Sequence, residues 1–334
     1  MNYIGSKFSL LGFLQESIES VVHKNVLKDM VFCDMFAGTC AVSRAFKDKV
    51  KQIIANDLEF YSFVLAQNQI INNKNLSIKE LFNELNDESQ TPPKMGKIYK
   101  HYALGSGSGR QYFSDENAMK IDAIRQKIEI WKNAKQIDQN EYFHLLASLL
   151  ECSDKVANTA SVYGAFLKNL KKSAQKELIL EPCEFKIGGT NHQAFNKNAN
   201  ELIKNISGDI LYLDPPYNHR EYGANYHLLN TIALYDDFSP RGKTGLREYQ
   251  KSNWCKKNSA LDAFDELIKN AKFRYIFFSY NNEGIISLSD IEKTMKKYGR
   301  YRLFNTKYRR FKADSNRQHK ADETVEYLHF LRKD

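Results

Sequence analysis

Two short apolar runs, each closed by an acid and lying one helix apart, constrain the fold of this chain more than any other feature. Val31-Phe32-Cys33-Asp34-Met35-Phe36 stops at Ala37-Gly38-Thr39, Ala41 to Phe46 has helical spacing, and Ile53-Ile54-Ala55-Asn56-Asp57 follows. Short apolar runs bounded in this way read as buried strands, and strands alternating with helices define a βαβ unit with a parallel sheet. A further helical stretch runs from about Leu58 to Ile71. Open α/β sheets bind ligands at the carboxyl ends of their strands, and Gly38 there lets a backbone approach a cofactor closely. Asp57, ending the second run, can accept both hydroxyls of a ribose. The same layout serves dinucleotide enzymes, but no G-x-G-x-x-G is present, so the reading stops at a nucleoside cofactor. A tight turn followed by a surface acid remains the alternative.

The pattern changes after residue 71. From about Asn72 to Leu180 the chain reads as mostly amphipathic helix, broken at Thr91-Pro92-Pro93 and Gly105-Ser106-Gly107-Ser108-Gly109. Ile121, Ile124, Ile128 and Trp131 keep helical spacing, as do Leu145, Leu146, Leu149 and Leu150. Strand character returns at Asp209-Ile210-Leu211-Tyr212-Leu213, which two prolines terminate, and at Tyr275 to Ser279. Alternation at Tyr301/Leu303 and over Val325 to Phe330 predicts a closing β-hairpin. The expectation is an α/β sheet split by a helical insert.

The sharpest chemical signal is Asp214-Pro215-Pro216-Tyr217, directly after an apolar strand. The amino nitrogen of adenine is a weak nucleophile because its lone pair is delocalised into the ring. An acid and a backbone carbonyl that accept both amino hydrogens return that lone pair toward an electrophilic methyl group. Proline has no N–H, so Asp-Pro-Pro presents acceptors without competing donors. Tyr217 offers a face for stacking a flipped base, worth roughly 1–3 kcal/mol. A plain Asp-Pro turn is the competing reading of the tetrapeptide, and its context decides between them.

That context resembles the Dam-like, alpha-group adenine-specific DNA methyltransferases, D-P-P-Y type, over most of the chain. Asn2-Tyr3-Ile4-Gly5-Ser6-Lys7 resembles the family's N-terminal cofactor segment, Asp34 to Gly38 its glycine turn, and Asp57 its ribose-binding acid. Asn196 to Leu202 resembles the segment that often places an acid near the cofactor's adenine, and Phe278 to Gly284 the next strand end and its loop. The resemblance implies a class I S-adenosylmethionine-dependent methyltransferase fold, a Rossmann-like mixed sheet. Residues 1–75 and 181–334 would form the catalytic domain, and 76–180 a mostly helical target-recognition insert. It implies Asp214, Pro215, Pro216 and Tyr217 as catalytic residues. Tyr3, Lys7, Asp34, Phe36, Gly38, Asp57, Asn198 and Asp214 would bind S-adenosyl-L-methionine, with no metal. Two residues depart from the pattern: Cys40 stands where a second glycine is usual, and Asn198 where an acid is usual.

The expected reaction is transfer of a methyl group to the 6-amino group of adenine in double-stranded DNA, in restriction-modification or as a stand-alone modification. The expected partners are double-stranded DNA and a cognate restriction endonuclease, with no membrane. Charge bears on this. Net charge is +9, and Lys296 to Lys320 holds ten Lys/Arg against the single acid Asp314. Such a cluster suits a polyanion, or is a solvated face. Arg110, Gln111, Asn158 and Thr159 are expected base readers within the insert, which otherwise serves as a buttress. Tyr99, Tyr102 and Tyr112 either touch DNA or pack. His219 to Tyr222 is expected on the DNA side of the pocket. The five cysteines form no CxxC pair, which fits a reduced, cytoplasmic protein, and no signal peptide or membrane span is read. The glycine loop at 105–109 lacks the Gly-Lys-Ser/Thr of a P-loop. Competing functions are cytosine-amino methylation, RNA adenine methylation, and a basic nucleic-acid-binding module without activity.

Overall fold

A computed structural model describes residues 5–189, 191–309 and 323–334. The chain divides into two compact units. One comprises Gln67–Ile187 and Tyr222–Tyr249; the other comprises Gly5–Ala66, Gly188–Glu221 and Gln250–Asp334.

The second unit is built on one seven-stranded sheet. Its strands are β1 (Val31–Asp34), β2 (Gln52–Asn56), β3 (Gln193–Phe195), β4 (Ser207–Leu213), β5 (Lys272–Asn281), β6 (Gly299–Arg309) and β7 (Glu323–Lys333). They lie in the order β3-β2-β1-β4-β5-β7-β6. The pairs β3–β2, β2–β1, β1–β4 and β4–β5 are parallel, while β7 runs antiparallel to both β5 and β6. Both apolar runs of the βαβ unit are therefore strands, and the tail is the expected hairpin. The three-residue edge strand β3 carries no legible signal, since Gln193-Ala194-Phe195 is too short for alternation to register. Side chains on one face of the sheet, including Leu211, Ile276 and Phe278, pack with Phe264 and Leu267 of the helix Ala260–Asn270, with Met295 and with Trp254. Chain order reverses between β1 and β4. Asp34 pairs with Tyr212 there, so the ends of these strands open the crevice at which α/β sheets bind ligands.

The first unit is helical up to Val156. Its main helices are Lys79–Asn86, Lys97–Tyr102, Asp115–Asn133, Gln139–Val156 and His227–Leu234. Ser114 caps the third through the Asn117 N–H, and Asp138 with Glu141 forms a reciprocal capping box on the fourth. The Ile121/Ile124/Ile128/Trp131 and Leu145/Leu146/Leu149/Leu150 stripes are buried as their spacing predicts. The helical expectation fails after Val156: residues 157–189 contain no helix or strand. Buried Asn158 holds this stretch instead. Its amide donates to the Gln111 and Leu167 carbonyls, and its Oδ1 accepts the Lys171 N–H. A side chain serving three backbone groups replaces the pairing a helix would have given them.

Candidate active site

Asp34 closes β1 and is buried. Its Oδ2 accepts the Ser43 N–H at 3.2 Å and the Ser43 hydroxyl at 2.6 Å, whereas Oδ1 is buried with no partner among the described residues. Burial pushes the acid up to about 7, opposed by the Ser43 hydrogen bonds and assisted by the Asp214 charge. A dry carboxylate oxygen without a donor is unfavourable unless a ligand N–H or O–H reaches it.

The chain then makes a left-handed turn, with φ 52° at Gly38 and φ 60° at Cys40. Cys40 stands at the position where the resemblance predicts glycine. Its backbone keeps the left-handed conformation glycine adopts freely, at a cost of about 1–2 kcal/mol for a residue with a Cβ. Asp57 secures the turn: Oδ2 accepts the Gly38 N–H at 2.8 Å and Oδ1 the Glu59 N–H at 2.9 Å. The Ser62 hydroxyl donates to the Gly38 carbonyl. Each Asp57 oxygen still has a lone pair for a further donor.

Asn56 escaped the sequence reading and is the clamp of this region. Buried at the end of β2, it donates to the Met35 and Lys197 carbonyls at 3.1 and 3.0 Å, and its Oδ1 accepts the Lys197 N–H at 3.1 Å. It thereby ties the β1 end to the segment carrying Asn198. Asn198 caps the short helix Ala199–Leu202 through the Asn200 N–H. The Phe36 ring lies edge-on to Trp254, with centroids 5.3 Å apart.

Asp214 follows β4 directly. Lys7, buried at the start of a 3₁₀ turn, reaches Asp214 Oδ1 at 3.0 Å and Glu326 Oε1 at 2.9 Å. Burial raises Asp214 to about 7, with Lys7 pulling down and Glu326 pushing up. Asp214 Oδ2 has no protein partner among the described residues. Prolines 215 and 216 carry the chain to half-buried Tyr217, whose carbonyl accepts the Ile285 N–H at 2.9 Å. That bond fixes the tetrapeptide against the loop after β5. His219 and Arg220 are exposed beyond it, and Glu221 accepts the Ser252 N–H.

Lys7, Asp34 and Asp214 therefore meet at one end of the sheet, and Asp57 braces Gly38. Tyr3 lies outside the described residues, as does the basic stretch from Arg310 to Lys320. Of the remaining basic residues, Lys296 pairs with Glu292 and Lys297 with Asp265. Glu326 was missed, although an acid between Val325 and Tyr327 in an apolar strand was a visible oddity.

The expected base readers turn inward. The Arg110 guanidinium donates to the His101, Gly242 and Lys243 carbonyls, and the Gln111 amide to those of Leu167 and Lys168. Asn158 and Thr159 are buried, as are Tyr102 and Tyr112. Sequence shows that a side chain can bond a base edge; it does not show that a nearer carbonyl has taken it.

Comparisons with known proteins identify the family of the chain. The family model for D12 class N6 adenine-specific DNA methyltransferases matches residues 3–294. The chain is 60% identical to the type II methyltransferase M.NlaIII of Neisseria lactamica, over all of this chain and 99% of that protein. It is 36% identical to the type II methyltransferase M.CviAII of Paramecium bursaria Chlorella virus 1, over 99% of this chain and 98% of that one. Identity to the type II methyltransferase M.FokI of Planomicrobium okeanokoites is 40%, over all of this chain but only 53% of that larger protein. The sheet has the mixed, mostly parallel architecture expected of a class I methyltransferase. With an acid–proline–proline–tyrosine segment on the switch-point strand and a family match across most of its length, this chain belongs to the D12 class N6 adenine-specific DNA methyltransferases.

Proposed function

We propose that this chain methylates the 6-amino group of an adenine flipped out of double-stranded DNA, using S-adenosylmethionine and with Asp214 orienting the amino group. The observation that carries this reading is the state of Asp214: its Oδ1 is held by Lys7 while Oδ2 has no protein partner among the described residues. When bound, S-adenosylmethionine supplies an electrophilic methyl group. The chain's own residues do the rest. Asp214 Oδ2 and a carbonyl of the Pro215-Pro216 segment accept the amino N–H groups, and the Tyr217 ring stacks on the base. With its acid raised to about 7, Asp214 can also hold the proton the nitrogen loses after transfer. Rate enhancement comes from positioning and from acceptors already in place.

The cofactor fits the residues present. Asp34 Oδ1 is buried without a partner among the described residues, Gly38 has no side chain to oppose close approach, and Asp57 keeps acceptor capacity for ribose hydroxyls. Lys7 acts through Asp214 in this reading, and Asn198 contributes by capping its helix. We assign target recognition to the unit formed by residues 67–187 and 222–249. It presents exposed Lys168, Asn169 and Lys172 in one loop, and Arg241 and Lys243 in another. Flipping one base reports nothing about its neighbours, so a second surface must read them. The relatives' names support a place in restriction-modification beside a cognate endonuclease.

The test is methylation of duplex DNA and of RNA of the same sequence with tritiated S-adenosylmethionine, followed by nucleoside chromatography. The expected product is N6-methyladenine in duplex DNA at one fixed sequence. Label in RNA, or in N4-methylcytosine, overturns the reading.

A further inference from the structure

Glu326 lies on β7, opposite Asn281 in the register, and is diagonal to Ser279 on the same face of the sheet. It is fully buried; Oε1 accepts the Ser279 hydroxyl at 2.6 Å and the Lys7 ammonium at 2.9 Å, and Oε2 has no partner among the described residues. A buried carboxylate with an unsatisfied oxygen carries a desolvation cost that its bonds through the other oxygen offset only in part. Lys7 already has Asp214 as a partner, so charge pairing alone does not call for a second buried acid here.

The effect of Glu326 on Lys7 supplies a reason. An ammonium is a compact charge with three donors on a flexible stem. Facing Asp214 alone, it could swing to span both carboxylate oxygens, because that satisfies the most charge. The adenine amino group would then find Oδ2 already occupied. A second carboxylate, fixed by Ser279, draws the ammonium away, and Lys7 meets Asp214 through Oδ1.

Resting on the assignment of Asp214 as the amino-group acceptor, we infer that Glu326 is a positioning residue for methyl transfer. With Ser279 it anchors the Lys7 ammonium between two carboxylates, which keeps Asp214 Oδ2 open to the adenine amino group.

The experiment compares Glu326→Gln and Glu326→Ala with the wild-type protein by two readouts. The first needs neither DNA nor cofactor: the Asp214 carboxyl is titrated by carbon-13 NMR in aspartate-labelled protein, its signal assigned by loss in Asp214→Asn. The ionisable groups around Asp214 are Lys7, Glu326, Asp34, Tyr212 and Tyr217, and only Glu326 changes. Removing a like charge and letting Lys7 settle on Asp214 both move its midpoint to lower pH. The second readout is the single-turnover rate at saturating DNA and S-adenosylmethionine. It should fall roughly tenfold in Glu326→Gln, whose amide oxygen can still accept from Lys7, and roughly 100-fold in Glu326→Ala, with DNA affinity unchanged. An unmoved Asp214 midpoint in folded Glu326→Gln overturns the inference, as does a rate loss matched by lost DNA affinity. Should Glu326→Ala not fold, Glu326→Gln decides alone. Full activity in Asp214→Ala would instead overturn the Asp214 assignment, whatever Glu326 does.

Discussion

Replacing Asp34 by Asn should make the protein more stable at pH 8 and leave its stability at pH 5 nearly unchanged. In the folded chain burial raises this acid from 3.8 to about 7, so the native state binds the proton more tightly than the unfolded chain. The resulting penalty is fully present above pH 7, shrinks as the pH falls, and is gone below about pH 4. Three pH units at about 1.4 kcal/mol each give a penalty of about 4 kcal/mol at pH 8, and a little over one unit leaves about 2 kcal/mol at pH 5. Asn removes this charge penalty and keeps one oxygen for Ser43. Its new amide, placed where Oδ1 lacks a partner, costs about 1–3 kcal/mol as an unmatched buried donor. The net change is a gain of roughly 2 kcal/mol at pH 8 and a change near zero at pH 5. Urea unfolding at the two pH values measures it, with calorimetry expected to show weaker S-adenosylmethionine binding. Destabilisation at pH 8, or the same change at both pH values, would refute the argument that Asp34 is an unfavourable charge retained for a ligand.

Three further outcomes follow from the geometry. Single-turnover methylation should rise with pH through about 7 as Asp214 ionises and then level off, and a rate flat from pH 6 to 8 would contradict the role of a charged acceptor. Cys40→Val forces a β-branched residue into a left-handed conformation and should lower stability by about 2 kcal/mol in thermal unfolding, whereas Cys40→Gly should stay within about 1 kcal/mol of the parent. Arg110→Ala frees the Gly242 and Lys243 carbonyls and should speed trypsin cleavage at Arg241 and Lys243 without altering S-adenosylmethionine affinity; unchanged cleavage would mean the loop is held by other means.

The parts of this account legible in the sequence are those governed by local pattern. Val31–Asp34 and Gln52–Asn56 announced a parallel sheet because a short apolar run between a turn and an acid has few other uses. Asp214 to Tyr217 stands out as a candidate because consecutive prolines after a strand leave acceptors without donors. What stayed hidden depends on residues far apart in the chain. Glu326 meets Lys7 only after the sheet has brought β7 beside β5, across some 320 positions. Asn56 becomes a clamp only when Lys197 returns along β3. Arg110 and Gln111 are expected as base readers because the Gly242, Lys243, Leu167 and Lys168 carbonyls that hold them lie 56 or more positions away. The stretch after Val156 was read as helix for the same reason: Asn158 overrides local preference through tertiary hydrogen bonds.

The most direct test of the central claim is the single-turnover methylation rate of Asp214→Ala on duplex DNA, measured beside its circular dichroism and its S-adenosylmethionine affinity. If Asp214 accepts the amino hydrogen in the transition state, the rate falls by about 100-fold or more while the protein stays folded and still binds the cofactor. A folded variant that methylates adenine at near the parental rate would contradict the account.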